Sequence, residues 1–311
     1  MSVLYLLVGL ILLLYSGRFL VKGSVSLANH YKVSRLVIGV TIVSFGTSAP
    51  ELIVSLKAAI DGHPDIATGN VIGSNISNIA LVLALTAIIF PIPVHRNSVT
   101  RDWPIMMIAS ILLWFFIQNL QLEFHEGLIF FLLLLGYFIW SLLNSRKESK
   151  ASKQEFAKPQ YSIWISLLLI VISSTGLVFG AGFLVRGASG IALNFGVSER
   201  VISISLVAFG TSVPELVTSA VAAFRKEMDI SVGNIIGSNI FNIFAVLGIT
   251  SMFREISINE LTLSYDILWM LAITILLFVF MLPPSRAILK RWKGVIMLSV
   301  YGFYIYKLFT M

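Results

Sequence analysis

Long apolar runs alternate with short polar breaks along the whole chain. They fall near residues 3–21, 36–60, 66–90, 103–119, 127–143, 163–183, 198–224, 230–252, 264–282 and 294–310. Runs of this kind cross a hydrocarbon core of ~30 Å as helices, because lipid leaves no backbone polar group a solvent partner. The pattern predicts an all-α polytopic membrane protein with ten transmembrane helices. The first run reads as a span rather than a cleaved leader, since no small-residue cleavage site follows it and further spans do.

The basic residues support the count. With the spans numbered in order, the odd loops hold Lys22, Lys32 and Arg35; Arg96 and Arg101; Arg146, Lys147, Lys150, Lys153 and Lys158; Arg225 and Lys226; and Arg286, Lys290, Arg291 and Lys293. The even loops hold only Arg186, Arg200 and Arg254. This asymmetry predicts cytoplasmic odd loops, with both termini outside. The polar, lysine-rich stretch within residues 144–162 reads as a cytoplasmic linker between a first half, 1–143, and a second, 163–311. Trp103, Trp140, Trp164 and Trp292 sit near segment ends, as interface anchors do.

Composition narrows the function. The chain is 57% hydrophobic and 12% charged, with no Cys and four His. Thiolate chemistry and disulfides are excluded. His30, His63, His95 and His125 are scattered near segment ends and read as interfacial loop residues rather than ligands. The net charge of +7 is spread over the odd loops, so it implies no nucleic-acid partner. Zinc spacing, a P-loop and a Rossmann glycine pattern are all missing. No obligate protein partner is evident; the lipid bilayer is the implied surrounding.

The chain also repeats itself. A shift of 164 places residues 45–86 on 209–250 without a gap, and 24 of those 42 positions are identical. Asn70, Asn75 and Asn78 fall on Asn234, Asn239 and Asn242. Each half has five spans, an odd number, so the second half enters the membrane from the opposite side. Inverted repeats of this kind typify secondary transporters, whose sites lie near the midplane.

The best-matched text carries unusual chemistry for a greasy chain: "FGTSAPEL" at 45–52 and "FGTSVPEL" at 209–216. Thr47 lies roughly 16 Å along a helix starting near Leu36, close to mid-membrane. Gly46 and Pro50 interrupt helical hydrogen bonding there, so the carbonyls of Ser44 to Thr47 are expected to turn inward, with Ser48 capping the helix that continues. Ser48 and Glu51 also have the spacing of a capping box, but a carboxylate at that depth demands compensation. In "GNVIGSNISN", Ser74 and Asn78 share a helical face. Asn70 and Asn75 read equally as ligands or as helix–helix glue. Asp65 and Asp229 begin spans as helix caps or stand near an ion entrance. Two carboxylates with amide, hydroxyl and carbonyl oxygens, and no Cys or His nearby, suit hard cations such as Ca²⁺ or Na⁺.

With these motifs, "GTSAPE…GNVIGSNISN" and "GTSVPE…GNIIGSNIFN", the chain resembles the sodium/calcium exchanger family of cation/Ca²⁺ antiporters, prokaryotic type, whose paired alpha repeats correspond here to residues 44–86 and 208–250. The resemblance implies that Glu51 and Glu215 are central ligands shared by Ca²⁺ and Na⁺, with carbonyls of Thr47 and Thr211 completing the calcium position. It implies one outer sodium position from Ser48, Ser74 and the Ser44 carbonyl, and its mirror image from Ser212, Ser238 and the Ala208 carbonyl. Asn78 and Asn242 would flank the centre, and spans one and six would slide across the other eight to give alternating access. Potassium-cotransporting members carry Asp where this chain has Asn242, which argues against potassium dependence and leaves the exchange ratio open. The large cytoplasmic calcium-sensing loop of animal exchangers is missing.

The function expected is secondary active exchange of Ca²⁺ for Na⁺ across a prokaryotic plasma membrane, with no cofactor. Ca²⁺/H⁺ exchange by the same two glutamates is the alternative, and a cation channel a more distant one. No nucleophile or base set marks an enzyme.

Overall fold

The computed structural model describes residues 1–152, 155–195, 208–283 and 288–310. Lys153, Arg200 and Arg286 of the charge pattern, and residues 198–207 of the seventh run, lie outside the described residues.

The apolar runs form helices. These are α1 (Ser2–Tyr31), α2 (Arg35–Thr47), α3 (Ala49–Ile60), α4 (Pro64–Ile89), α5 (Ser98–Asn119), α6 (Phe124–Ala151), α7 (Ile163–Asn194), α8 (Ala208–Phe224), α9 (Met228–Phe253), α10 (Thr262–Phe280) and α11 (Arg291–Thr310). Among the described residues, seven are long and apolar enough to cross a membrane, or eight if the bent pair α2–α3 is one span. The described part of α8 is only 17 residues long, and α11 carries Arg291, Lys293 and Lys307.

Burial sorts the helices into two layers. The most apolar stretches of α4 and α9 are 72% and 89% buried, whereas those of α1 and α7 are 28% buried. The polar, glycine-rich helices therefore form the centre, and the greasiest ones turn bare Leu, Ile and Val outward. In water that arrangement would be inverted; lipid makes it the stable one. Helices α1 and α7 run against each other. A Cβ at Gly187 would stand 2.4 Å from the Leu6 nitrogen, so only glycine permits this approach of backbones.

The repeat is visible in local structure. Widened π-helical turns interrupt α4 at Asn78–Leu83 and α9 at Asn242–Leu247, and others open α5 at Ser98–Asp102 and α10 at Thr262–Asp266. Each pair is offset by the 164 residues of the sequence repeat. Asp102 accepts the Tyr137 hydroxyl at 2.9 Å, clasping α5 to α6; Asp266 accepts the Tyr304 hydroxyl at 3.1 Å, clasping α10 to α11.

Two details depart from a purely helical expectation. The loops carry two-residue antiparallel pairings, Ile92–Pro93 with Ile288–Leu289 and Gln121–Leu122 with Ile256–Ser257. Each joins the two halves and gives loop backbone groups a partner at a span end. Helix α6 continues through Ala151, so the first half of the lysine-rich stretch is helical. Glu148 holds that extension in place by an ion pair with Arg101 and by accepting the Asn97 amide at 3.0 Å.

Candidate functional site

The two halves meet where α2–α3, α4, α8 and α9 cross. Helix α3 packs against the Asn242–Leu247 turn of α9, and α8 against the Asn78–Leu83 turn of α4. That crosswise packing sets Glu51 beside the second half's asparagine turn and Glu215 beside the first half's.

The chain breaks at Ser48, where α2 and α3 meet at a 45° bend. Pro50 has no N–H for the Gly46 carbonyl, so the break falls where one hydrogen bond is already lost. Glu51 then occupies the first turn of α3, where the helix dipole favours negative charge. The expected cap does not form. The Ser48 hydroxyl accepts no backbone N–H; it donates to Glu215 Oε1 at 2.8 Å. Donation to a buried carboxylate on a neighbouring helix fixes where the hydroxyl points. Asp65 and Asp229 likewise make no capping bond; both lie in first turns behind His63 and Glu227.

Among the described residues the second half has no matching break. Helix α8 runs from Ala208 through Phe224 with Pro214 inside it. A proline removes one bond, and packing on both sides can still hold the helix through it. Ser212 turns its hydroxyl to Ser77 at 2.7 Å. Ser77 has Phe241 as its repeat counterpart, so this contact is available to one half only.

Around the two GTS motifs runs a set of mirrored bonds. Thr47 donates to Asn234 Oδ1 at 2.9 Å and Thr211 to Asn70 Oδ1 at 3.4 Å; Asn70 donates to Ser55 at 2.9 Å and Asn234 to Ser219 at 3.0 Å. Asn70 and Asn234 are thus the glue of their pairs. Ser238 donates to Glu215 Oε1 at 3.3 Å. The Ser44 hydroxyl turns back to Val40 and Thr41 of its own helix. The Ser44 carbonyl accepts the Ser48 N–H at 2.9 Å and the Thr47 hydroxyl at 3.3 Å. Ser74 is buried on the same face of α4, and Ala208 opens the described part of α8.

The central four residues behave differently. Glu51, Glu215, Asn78 and Asn242 are fully buried. Both carboxylate oxygens of Glu51, Oε2 of Glu215, Oδ1 of Asn242 and both amide atoms of Asn78 find no hydrogen-bond partner among the described residues. Ser48, three residues before Glu51, reaches the Glu215 carboxylate, so the two glutamates share this centre. Buried polar atoms are nearly always paired, so several orphaned oxygens around two carboxylates fit a cation. No cluster of three or more His, Asp or Glu occurs among the described residues, which leaves these oxygens and their neighbours as the donor set. His30 and His125 lie on helices rather than loops, and His30 binds the Tyr161 carbonyl at 2.7 Å.

Packing between the halves closes the surroundings on one side. Arg35 and Glu227 form an ion pair joining the starts of α2 and α9. Just beyond it, Gly233 and Gly237 of α9 pack onto α2 so tightly that a Cβ at Gly237 would stand 2.4 Å from the Val40 carbonyl. Among the described residues their counterparts on α4 have no such neighbour: Gly69 is exposed, and a Cβ at Gly69 or Gly73 would meet nothing within 4 Å, while residues 199–207, the repeat counterparts of residues 35–43, lie outside the described residues. A cavity of about 290 Å³ separates α3 from α7 and reaches Thr211, between Pro50, Ile53, Val185 and Gly210. The equivalent place on the other half is filled by Gly17 of α1 against Val217 and Thr218 of α8.

The sequence profile of the sodium/calcium exchanger proteins matches residues 1–143 and 165–310. The chain belongs to the sodium/calcium exchanger family. Prokaryotic relatives match over nearly their full length. The sodium/calcium exchanger MaX1 of Methanosarcina acetivorans is 31% identical over 98% of this chain and 98% of its own length. The inner membrane protein YrbG of Escherichia coli is 33% identical over 97% and 94%. A solved structure of the sodium-calcium exchanger NCX_Mj, soaked with zero Na⁺ and Ca²⁺, has a TM-score of 0.84 at 35% identity and covers 99% of this chain and 98% of that one. The inverted-repeat architecture is therefore that of an exchanger, and the protein is a multi-pass membrane protein with prokaryotic relatives.

Three features of this exchanger site were missed in the sequence. Ser55 and Ser219 are repeat mates, four residues after each glutamate, and their identity was the available signal. Asp102 and Asp266 also coincide under the shift of 164. Ser77 had no signal, because its counterpart is Phe241.

Proposed function

We propose that this chain is a secondary active antiporter that exchanges Ca²⁺ for Na⁺ by alternating access. The observation that carries this reading is the set of orphaned oxygens on Glu51, Asn78, Glu215 and Asn242 in a fully buried centre. Two carboxylates balance one Ca²⁺ or two Na⁺. With neither cation, two buried negative charges face each other, which is costly. The charge requirement therefore couples the ions: the site crosses the membrane filled.

Glu51 and Glu215 are the shared ligands in this reading, with Thr47 and Thr211 at the calcium position. Ser48, Ser74 and Ser44 serve one sodium position; Ser212, Ser238 and Ala208 serve its mirror. Asn78 and Asn242 supply neutral oxygens at the centre. The chain spans the membrane ten times, as halves 1–143 and 163–311 joined by the linker 144–162, in a prokaryotic plasma membrane with both termini outside. The packed α1–α8 contact and the open α3–α7 cleft are then the two halves of one alternating device, with the α1–α7 pair as the sliding part. With the odd loops cytoplasmic, the Arg35–Glu227 side is the closed cytoplasmic side.

Equilibrium binding of ⁴⁵Ca²⁺ to purified protein tests the shared site. Na⁺ is expected to displace Ca²⁺ at constant pH, with loss of binding in Glu51→Gln and Glu215→Gln. Displacement by protons and not by Na⁺ would replace this reading with Ca²⁺/H⁺ exchange.

A further inference from the structure

Asn242 and Asn78 are repeat mates at the centre, yet their amides are held differently. The carbonyl oxygen of Asn239 can only accept a hydrogen bond, and Asn75 reaches it at 3.3 Å. Asn75 must therefore turn its Nδ2 to that carbonyl, which points its Oδ1 the other way. That Oδ1 lies 3.1 Å from Asn242. An amide oxygen only accepts, so Asn242 must present its own Nδ2 there. The one atom of Asn242 left over is Oδ1, buried and without a partner among the described residues. The polarity of every amide in this chain of bonds follows from a single backbone carbonyl. The same Asn239 carbonyl also receives the Asn242 backbone N–H at the entrance to the widened turn, so Asn75 is tied both to the Asn242 side chain and to the turn that carries it.

The other half lacks this arrangement. Asn239, the counterpart of Asn75, donates its Nδ2 back to the Ile235 carbonyl of its own helix at 2.7 Å. Asn78 keeps both amide atoms unpartnered among the described residues, and nothing there fixes which one faces the carboxylates.

We propose that Asn75 is a positioning residue that makes Asn242 a permanent oxygen donor to the transported cation. An amide turned over would aim its N–H dipole at that cation, so orientation decides whether Asn242 attracts or repels it. Asn78 has no such clasp and is the adjustable member of the pair. This role rests on the exchange reading above. Groups that orient metal ligands typically change metal affinity 10–100-fold.

The test is ⁴⁵Ca²⁺ binding to purified protein, with thermal stability measured in parallel. Asn75→Leu, which keeps the volume and removes both bonds, is expected to weaken Ca²⁺ binding roughly tenfold. In the Asn242→Asp background both side-chain atoms are oxygens, so orientation no longer matters and Asn75→Leu should cost little there. In the Asn242→Ala background the ligand is gone, and Asn75→Leu should again add little. Equal losses in all three backgrounds, or a loss that simply tracks stability, would show that Asn75 acts through helix packing and overturn the role. A parent chain that binds no Ca²⁺ would overturn the exchange reading itself, and this role with it.

Discussion

Ser48 on the first repeat donates its hydroxyl to Glu215 on the second at 2.8 Å, while its repeat mate Ser212 is turned to Ser77. One glutamate is therefore held by the opposite repeat, and the other, Glu51, keeps both oxygens free. The two halves share their motifs and hold their glutamates differently.

Ser48→Ala and Ser212→Ala should accordingly differ. A hydrogen bond to a charged group is worth about 1.5–3 kcal/mol, so losing Ser48 is expected to change apparent Ca²⁺ affinity by roughly tenfold. Ser212→Ala removes a bond between two neutral hydroxyls and should change it less than threefold in the state described. Titration of both variants with ⁴⁵Ca²⁺ checks the order; equal effects would contradict it.

The absence of Cys makes the one-sided opening directly measurable. Asn70 is half-buried, whereas its repeat mate Asn234 is fully buried. A membrane-impermeant thiol reagent should label Asn70→Cys and spare Asn234→Cys. Adding Arg35→Ala breaks the ion pair with Glu227 and should raise labelling of Asn234→Cys from the opposite side. Unchanged protection would show that the ion pair does not restrain that opening.

Glycine substitutions give a steric version of the same contrast. A Cβ at Gly237 would meet the Val40 carbonyl at 2.4 Å, but one at Gly73 meets nothing within 4 Å among the described residues. Gly237→Ala should destabilise the protein by about 1–3 kcal/mol, and Gly73→Ala should be tolerated in this conformation. Thermal unfolding in detergent reads both; matching shifts would contradict the asymmetry.

Much of this was legible in the chain because lipid simplifies the rules. Apolar length located the helices, and the shift of 164 located both Glu51 and Glu215 and the asparagines around them. What escaped has physical causes. A capping box and a ligand break are written alike, and only the presence of Glu215 beside Ser48 separates them. Nothing in the text around Asp102 marks the Tyr137 hydroxyl that folds onto it. Asn70 and Asn75 share one motif, yet the first ties α4 to α3 and α8 and the second ties it to α9, a difference set by rotation about α4. Above all, two halves with the same text cannot say which is open. That asymmetry belongs to a conformation, not to a sequence.

The most direct measurement of the central claim is paired ion flux in proteoliposomes. Vesicles loaded with ²²Na⁺ and diluted into sodium-free buffer containing ⁴⁵Ca²⁺ should gain Ca²⁺ as they lose Na⁺, and Glu51→Gln or Glu215→Gln should abolish both fluxes together. Calcium entry that ignores the sodium gradient, or that survives either substitution, would contradict a site in which two glutamates hold the two ions by turns.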